Sequence, residues 1–421
     1  MERGVVPPDF DIAVVGGGAV GATLAALAVR QAGVPAGRIV VIERERPPPW
    51  VPTDAHDLRV FALSRASTRI LDAAGAWKDI KSARVSPYEK MRVWHESASP
   101  GGADALLFDA ADLGEPNLGH IVEGRLIQTA LHASLETSGV TIVPASVESL
   151  SLSPDAAVVG LGERRLTARL VVGADGGRSR VRELAGLSAT TRDYQQQAIV
   201  ANVATAKPHE DTAWQRFLGH GTLAFLPLAN GQCSIVWSVG NDRAAQLRTL
   251  SVADFERELT AALDGALGEV RLASGRVSIP LAATRAERYV LERCALIGDA
   301  AHTVHPLAGQ GVNLGFLDAA TLADVLTEAR AEREDPGALR ILRRYERRRR
   351  PQNELMSRAM SGFNDFLAMG QGPAAQLARR GMGMVNRAGF VKRLLAERAL
   401  GIGGELPFAA RRGERRTANS G

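Results

Sequence analysis

Three groups of residues in this chain have types and spacing suited to chemistry. Gly16, Gly18 and Gly21 follow a short apolar run, Ile12 to Val15, with G-x-G-x-x-G spacing, and open an Ala/Leu-rich segment. The run reads as a buried parallel strand. The glycines then supply a tight strand-to-helix turn, close backbone approach to a pyrophosphate, and close helix–strand packing. The helix N-terminus offers unpaired N–H groups and a positive dipole end to phosphates. A second strand, Arg38 to Ile42, ends at Glu43, about twenty residues downstream, where a carboxylate accepts from ribose hydroxyls. This pattern predicts a dinucleotide site rather than an ordinary βαβ turn.

The second group is Leu170-Val-Val-Gly-Ala-Asp-Gly-Gly-Arg-Ser, where a strand runs into the glycine-flanked carboxylate of Asp175 and a helix begins near Ser179. Its plainer reading is a turn stabilised by a carboxylate bonding backbone N–H groups. The third is Cys294-Ala-Leu-Ile-Gly-Asp-Ala-Ala-His-Thr-Val-His-Pro-Leu-Ala-Gly-Gln-Gly-Val-Asn. An apolar strand delivers Asp299, a His/Pro turn follows, and a Gly-rich segment opens a long helix, Val312 to about Arg330. His302 and His305 invite a metal or acid/base reading. Further ligands are missing, however, and Pro306 breaks the local helix, so both are expected to pack and hydrogen-bond near a cofactor.

The elements between these groups must position them. A Pro-rich loop (Pro47 to Pro49, Pro52) separates the first βαβ unit from a helix that Ser64 caps and Gly75 stops. Residues 86–110 alternate as strands, 121–138 carry Leu126, Ala130, Leu131 and Leu135 at helical spacing, and 141–143 and 157–159 read as strands. From about 190 to 285 the chain is β-rich, interrupted by an amphipathic helix near 252–264, which suits a sheet laid over the nucleotide lobe. Beyond Pro336 come an Arg-rich helix, a Gly/Met-rich connection at 370–384, a short helix at 389–400 and an ending, 411–421, expected to be disordered.

A chain of 421 residues can bury a large core in two or three lobes. Cys233 and Cys294 form no disulfide framework and are expected as small buried apolar residues in a reducing compartment. The leader has no secretory core, and no apolar run approaches the ~18 residues that span a bilayer. The expected location is the cytoplasm or the periphery of the inner membrane. Net charge is +5, but residues from Arg340 onward hold 18 basic and 6 acidic residues, net +12, which leaves −7 for the rest.

Taken together, G-G-G-A-V-G, G-A-D-G-G-R-S and G-D-A-A-H-x-x-x-P-x-x-G-Q-G-x-N in this order resemble the flavoprotein aromatic hydroxylases, the group that includes para-hydroxybenzoate hydroxylase. Arg59-Val-Phe-Ala-Leu-Ser, Trp214-Gln-Arg-Phe, Leu226-Pro-Leu and Leu394-Leu-Ala-Glu-Arg-Ala-Leu-Gly are similar to its ubiquinone-biosynthesis branch. The resemblance implies an α/β fold: a Rossmann-like FAD-binding domain (10–80, 121–189, 286–335), a β-sheet substrate domain (81–120, 190–285) and a basic C-terminal helical region (336–421).

Carried onto this sequence, it implies that Gly16, Gly18 and Gly21 seat the FAD pyrophosphate. Glu43, with Arg44 beside it, takes the adenosine ribose. Arg59 and Arg125 lie near the phosphate and ribityl regions, and Asp299 bonds a ribityl hydroxyl. Asp175 supports FAD and nicotinamide binding. The stretch from Ala308 through Gly309, Gln310 and Gly311 to Asn313 faces the isoalloxazine, where a helix N-terminus stabilises negative charge on the reduced ring. No obligatory side-chain base is implied; Pro306, Gly309 and Gln310 are the candidates beside the ring. NADH, NADPH or a protein electron donor reduces the flavin, O2 is the co-substrate, and a flavin C4a-hydroperoxide hydroxylates an electron-rich ring behind an apolar β-rich wall.

The implied substrate is a polyprenylated phenol. Rival readings are a hydroxylase of a soluble aromatic acid, a flavin-dependent prenyl reductase, and a flavin-binding scaffold of a membrane-associated ubiquinone-biosynthesis complex. The run Arg343, Arg344 and Arg347 to Arg350 reads either as a solvated helix face or as a patch for an anionic membrane surface, with Phe390, Val391, Leu394 and Leu395 entering the interface. No aromatics are interleaved for nucleic acid.

Overall fold

The computed structural model describes residues 7–46, 48–53, 55–304, 310–367 and 405–412. Phe10–Val15 lies at the centre of a parallel sheet, between Ile39–Ile42 and Arg164–Gly173. Thr141–Val143 extends it beyond Ile39–Ile42, and Cys294–Leu296 extends it beyond Arg164–Gly173, both parallel. The β-branched runs are buried on both faces, as such a sheet requires. Helix Ala19–Arg30 buries Gly21 to Ala28 without interruption. It is sandwiched between helices Gly124–Ser138 and Gln310–Ala331, which explains an apolar sequence with little amphipathic pattern.

A second, largely antiparallel sheet runs in the order Val270–Leu272, Ala189–Thr205, Cys233–Gly240, Gly221–Pro227, Thr212–Leu218, Lys90–His95, Leu106–Asp109; Val277–Ala286 pairs with the long strand Ala189–Thr205. The Lys90–His95 to Thr212–Leu218 pairing is the parallel one. One face of this sheet packs under helices Asn241–Thr249 and Val252–Ala262 in its own core. A small third sheet, Val60–Ser64, Gly119–Glu123 and Ser86–Tyr88, joins the lobes.

Two readings are revised, the helix from 121 and the apolar wall, and two features add to the sequence reading. Helix from 121 begins as strand: Ile121 and Val122 pair across the small sheet, and the helix starts at Gly124. β-Branched residues with a strand partner override helical spacing. Helix Asn241–Thr249 was not foreseen, because Ala244 and Leu247 are its only buried residues and leave little period to read. The basic helix, Leu339–Leu367, packs its first turns into the main core, where Ile341, Leu342 and Tyr345 are fully buried. The expected apolar wall is on the other side of its sheet: Leu223, Phe225, Ile235, Trp237 and Val239 face the covering helices. Alternation at period two then turns Thr222, Ala224, Leu226, Ser234, Val236 and Ser238 toward the nucleotide lobe, where Leu226 packs on Ala62 and Ile121.

Residues 370–384, the short helix at 389–400 with its Phe390, Val391, Leu394 and Leu395, and 413–421 lie outside the described residues. Of the expected disordered ending, Arg411 donates to the Leu406 carbonyl and Arg412 meets Glu115 at 3.5 Å. No helix among the described residues is long and apolar enough to cross a membrane.

Candidate functional site

The glycine loop is locked by backbone contacts. Gly16 donates to the Ile42 carbonyl at 2.8 Å and has φ +101°, a conformation in which a Cβ would strike the Ala174 carbonyl oxygen at 2.4 Å. A Cβ on Gly21 would lie 2.0 Å from the Gly16 carbonyl oxygen. At Gly18, the N-cap of helix Ala19–Arg30, a Cβ would meet nothing within 4 Å, so the helix terminus opens onto free space. Two glycines are needed by the protein, and the middle one by whatever approaches it.

Glu43 stands at the end of its strand, with Oε2 accepting the Gly17 N–H at 2.6 Å. One carboxylate oxygen thus shapes the loop, and the other, at most weakly held by the Glu45 N–H at 3.4 Å, is left for a ribose hydroxyl. Arg44 is exposed beside it. Gln128 and His132, one turn apart on helix Gly124–Ser138, both donate to the Gly17 carbonyl, at 3.2 and 2.6 Å. Sequence reasoning missed this pair; two polar residues at i and i+4 on a face otherwise apolar were the available signal. His132→Ala is expected to weaken FAD binding about fivefold to tenfold through a looser loop, since one hydrogen bond contributes roughly 1 kcal/mol. Titration of apoprotein with FAD measures it.

Asp299 sits on the short turn Gly298–Ala300 after Cys294–Leu296. The residue is exposed, although protein atoms crowd its carboxylate. Burial pushes its carboxyl above the ordinary range, opposed by His302 and the Arg59 guanidinium. Among the described residues no donor reaches it. An exposed acceptor of this kind fits a ribityl hydroxyl. Arg59, exposed and over the Phe61 ring at 5.2 Å, is placed near that carboxylate.

Asp175 uses both oxygens locally: Oδ1 accepts the Ser179 hydroxyl at 2.5 Å, and Oδ2 accepts the Arg180 and Val181 N–H groups at 2.7 and 3.0 Å. The turn-stabilising geometry is therefore present, and the turn packs directly against Gly16. Arg125 pairs with Asp57 at 3.3 Å, and the other Asp57 oxygen accepts the Arg125 N–H, which caps helix Gly124–Ser138. Ser64 is the predicted N-cap, accepting the Ser67 N–H at 3.2 Å.

Asn313 lies in the first turn of Gln310–Ala331, buried. Its Oδ1 accepts the Ser64 N–H and the Ser67 hydroxyl at 2.9 and 2.6 Å, and its Nδ2 donates to the Ala62 carbonyl at 2.8 Å. The side chain fastens the helix start to the nucleotide lobe and so fixes where Gly311 and the helix dipole point. Pro306 and Gly309, with His305 and Ala308, lie outside the described residues, and for Gln310 only the backbone is described.

His302 packs and hydrogen-bonds within the protein. It is buried, stacks on Tyr289 at 5.8 Å, and its Nε2 lies 2.6 Å from Oδ2 of the fully buried Asp318. The same oxygen accepts the Gly298 N–H at 3.0 Å; Oδ1 accepts from Arg349 Nε at 2.8 Å and Asn353 Nδ2 at 3.0 Å. Burial alone would raise the Asp318 carboxyl, but His302 and Arg349 outweigh it and hold the group well below the ordinary carboxylate range. This cluster ties the Asp299 turn to the C-terminal helix. Both cysteine thiols are buried and pushed up to about 12, hence unreactive. No metal-binding group of His, Cys, Asp and Glu occurs among the described residues.

A surface groove of about 550 Å³ lies elsewhere, between the two C-terminal helices, lined by Glu328, Glu332, Arg344, Arg347, Arg348 and Glu405 among others. Its charges are largely matched: Arg344 meets Glu334 at 2.9 Å and Arg348 meets Glu328 at 2.9 Å. Of the basic run, Arg350 pairs with Glu354 and Arg349 is buried, which leaves Arg343 and Arg347 as its exposed members.

The residues fit FAD: an open helix terminus for the pyrophosphate, a carboxylate for the ribose, and for the ribityl chain a carboxylate that no donor reaches among the described residues. When bound, FAD supplies the redox and oxygen chemistry, and the chain's own residues bind it, orient it and shield it from water. The FAD binding domain family matches residues 9–359. The 3-demethoxyubiquinol 3-hydroxylase of Escherichia coli (strain K12) is 37% identical over 396 residues, covering 93% of this chain and 98% of that protein. Ubiquinone hydroxylase UbiL of Rhodospirillum rubrum is 37% identical over 403 residues, covering 94% and 91%. The crystal structure of PqsL from Pseudomonas aeruginosa, a probable FAD-dependent monooxygenase, shares the fold with a TM-score of 0.71 at 24% identity, covering 90% of this chain and 99% of that one. With its glycine loop and Asp299 turn brought together beneath an antiparallel sheet, this chain belongs to the FAD binding domain family, as an FAD-dependent monooxygenase of the ubiquinone-biosynthesis hydroxylase type.

Proposed function

We propose that the protein hydroxylates the ring of a polyprenylated phenol in ubiquinone biosynthesis, with O2 as co-substrate and NAD(P)H or a protein as electron donor. Similarity to 3-demethoxyubiquinol 3-hydroxylase across 98% of that protein carries the reading. The face of the antiparallel sheet turned to the nucleotide lobe supports it. On its central strands that face presents Ala198, Val200, Thr222, Ala224, Ser234, Val236 and Ser238, with no charged side chain. Arg216 on a neighbouring strand points to the opposite side, where it donates to the Ala261 and Ala262 carbonyls. A benzoate carboxylate would thus be desolvated without a partner there, at a cost of several kcal/mol. The test compares a short-chain prenylphenol with 4-hydroxybenzoate under one electron donor, following O2 uptake and product together. The prenylphenol should couple flavin oxidation to hydroxylation; coupling with the benzoate alone would favour the soluble-acid reading.

For an anionic membrane surface, or a membrane-associated biosynthetic complex, the basic run offers the exposed Arg343 and Arg347. Four of the six arginines in the basic run are engaged with carboxylates of the chain itself, which reduces the charge free to meet lipid.

A further inference from the structure

We infer that Gln215 is a specificity-determining residue of the hydroxylation, its side-chain amide hydrogen-bonding the phenolic oxygen of the substrate ring. This rests on the proposed prenylphenol reading and adds to it the group that orients the ring.

Successive side chains of strand Thr212–Leu218 divide between two faces. Trp214 packs in the core beneath the covering helices, and Arg216 reaches the Ala261 and Ala262 carbonyls on that same side. Ala213 lies on the other face with Leu226, Ala62 and Ile121, and Phe217 lies there with Val93, Leu106 and Met360 of the basic helix. Gln215, between Ala213 and Phe217, shares their face. It therefore stands between two points at which this sheet meets the rest of the molecule, the small joining sheet on one side and the C-terminal helix on the other. The first contact also fixes the face relative to the start of helix Gln310–Ala331, because the Ala62 carbonyl accepts from Asn313 Nδ2 at 2.8 Å.

Gln215 is 5% exposed, yet its side-chain amide meets no hydrogen-bond partner among the described residues. The residues directly opposite it, Val93 and Ala224, have apolar side chains. A buried amide left unpaired is costly, and a leucine or methionine would fill the position without that cost. Packing alone thus gives no reason for glutamine here. Beside it, Ala224 and its neighbour Val236 remain partly exposed in the middle of the sheet, while Thr222, Leu226, Ser234 and Ser238 around them are buried. Accessible apolar surface with an unpaired amide next to it suits an aromatic ring that carries a polar substituent. The amide is neutral: Oε1 accepts the proton of an un-ionised phenol, and Nε2 donates to an oxygen on the adjacent ring carbon. One such bond at a fixed point of the sheet sets which edge of the ring is presented to the nucleotide lobe.

The test uses FAD-loaded protein, parent and Gln215→Leu or Gln215→Met, and pairs a short-chain prenylphenol with its methyl ether, which has no proton to donate. Titration followed by flavin absorbance gives the two affinities, and urea unfolding gives stability. The parent should prefer the phenol about tenfold, and in both variants that preference should fall to about one. Both variants should be at least as stable as the parent, because an unpaired buried amide has been removed. A residue that only packs would give the reverse, lower stability with the preference kept, and that result would overturn the inference. So would an unchanged preference at unchanged stability, while hydroxylation of the prenylphenol by the parent would leave the substrate class intact. If the parent neither binds nor hydroxylates any prenylphenol, the substrate reading fails and the role of Gln215 falls with it.

Discussion

Gly21→Ala is expected to yield protein that is both less stable and nearly free of flavin. The added methyl would sit 2.0 Å from the Gly16 carbonyl oxygen and 3.0 Å from the Ala174 Cβ, so helix Ala19–Arg30 must move off the central strand. Overpacking of this kind costs typically 1–3 kcal/mol, and here the displaced helix end is the one facing the phosphates. FAD affinity should fall by up to about a hundredfold, since each 1.4 kcal/mol is tenfold. Gly18→Ala is the informative contrast. Its methyl meets no protein atom within 4 Å, and φ at this position, −65°, suits any residue. The apoprotein should melt like the parent while FAD binds more weakly, because the methyl occupies the approach to the helix terminus. Melting of the apoprotein and FAD titration separate the two effects. Full flavin retention and unchanged melting in Gly21→Ala would show that the loop is not the pyrophosphate seat.

Asp318→Asn and Arg349→Met should each destabilise the protein by about 3–5 kcal/mol, the cost of stranding one partner of a buried ion pair. Asp318 is inaccessible to solvent and the Arg349 side chain nearly so, at 0% and 3%. The double variant Asp318→Asn/Arg349→Met should lose less than the sum of the singles, because the Arg349 guanidinium and the Asp318 carboxylate are then removed together and neither is stranded by loss of the other. Urea unfolding at fixed FAD measures this, and singles within 1 kcal/mol of the parent would refute it. A pH dependence accompanies the prediction. The Asp318 carboxyl is lowered in the folded state, so its contribution is complete above the unfolded carboxylate value, about 3.9, and is lost as pH falls below it. The acid limb of stability should therefore be flatter in Asp318→Asn than in the parent. Because Asp318 also accepts the Gly298 N–H, these variants should hold FAD less tightly as well.

The sequence by itself determined the features that depend on a few consecutive residues. The strand–glycine–helix unit at 10–30, the capping by Ser64, the Asp299 turn after Cys294–Leu296 and the long helix from Gln310 are all local, since backbone conformation and steric room at neighbouring positions dictate them. The three motifs also carried the resemblance to the flavoprotein aromatic hydroxylases that implied FAD, and the match to the FAD binding domain family bears it out. Tertiary structure decided which partner each polar side chain takes. Asp175 turns inward to its own helix and Arg125 goes to Asp57. Gln128 and His132 reach the glycine loop from more than a hundred residues away, and Arg349, in a run that reads as solvated or membrane-facing, crosses to Asp318. It also decided which face of the antiparallel sheet turns to the nucleotide lobe. Alternation along a strand separates its residues into two sets, but only the helices packed on one side tell which set is core. The apolar set, Leu223, Phe225, Ile235, Trp237 and Val239, went under those helices, leaving a smaller and partly polar set on the face toward the nucleotide lobe. Such choices depend on helix rotation and sheet packing, which are global properties of the fold, and no spacing within one segment encodes them.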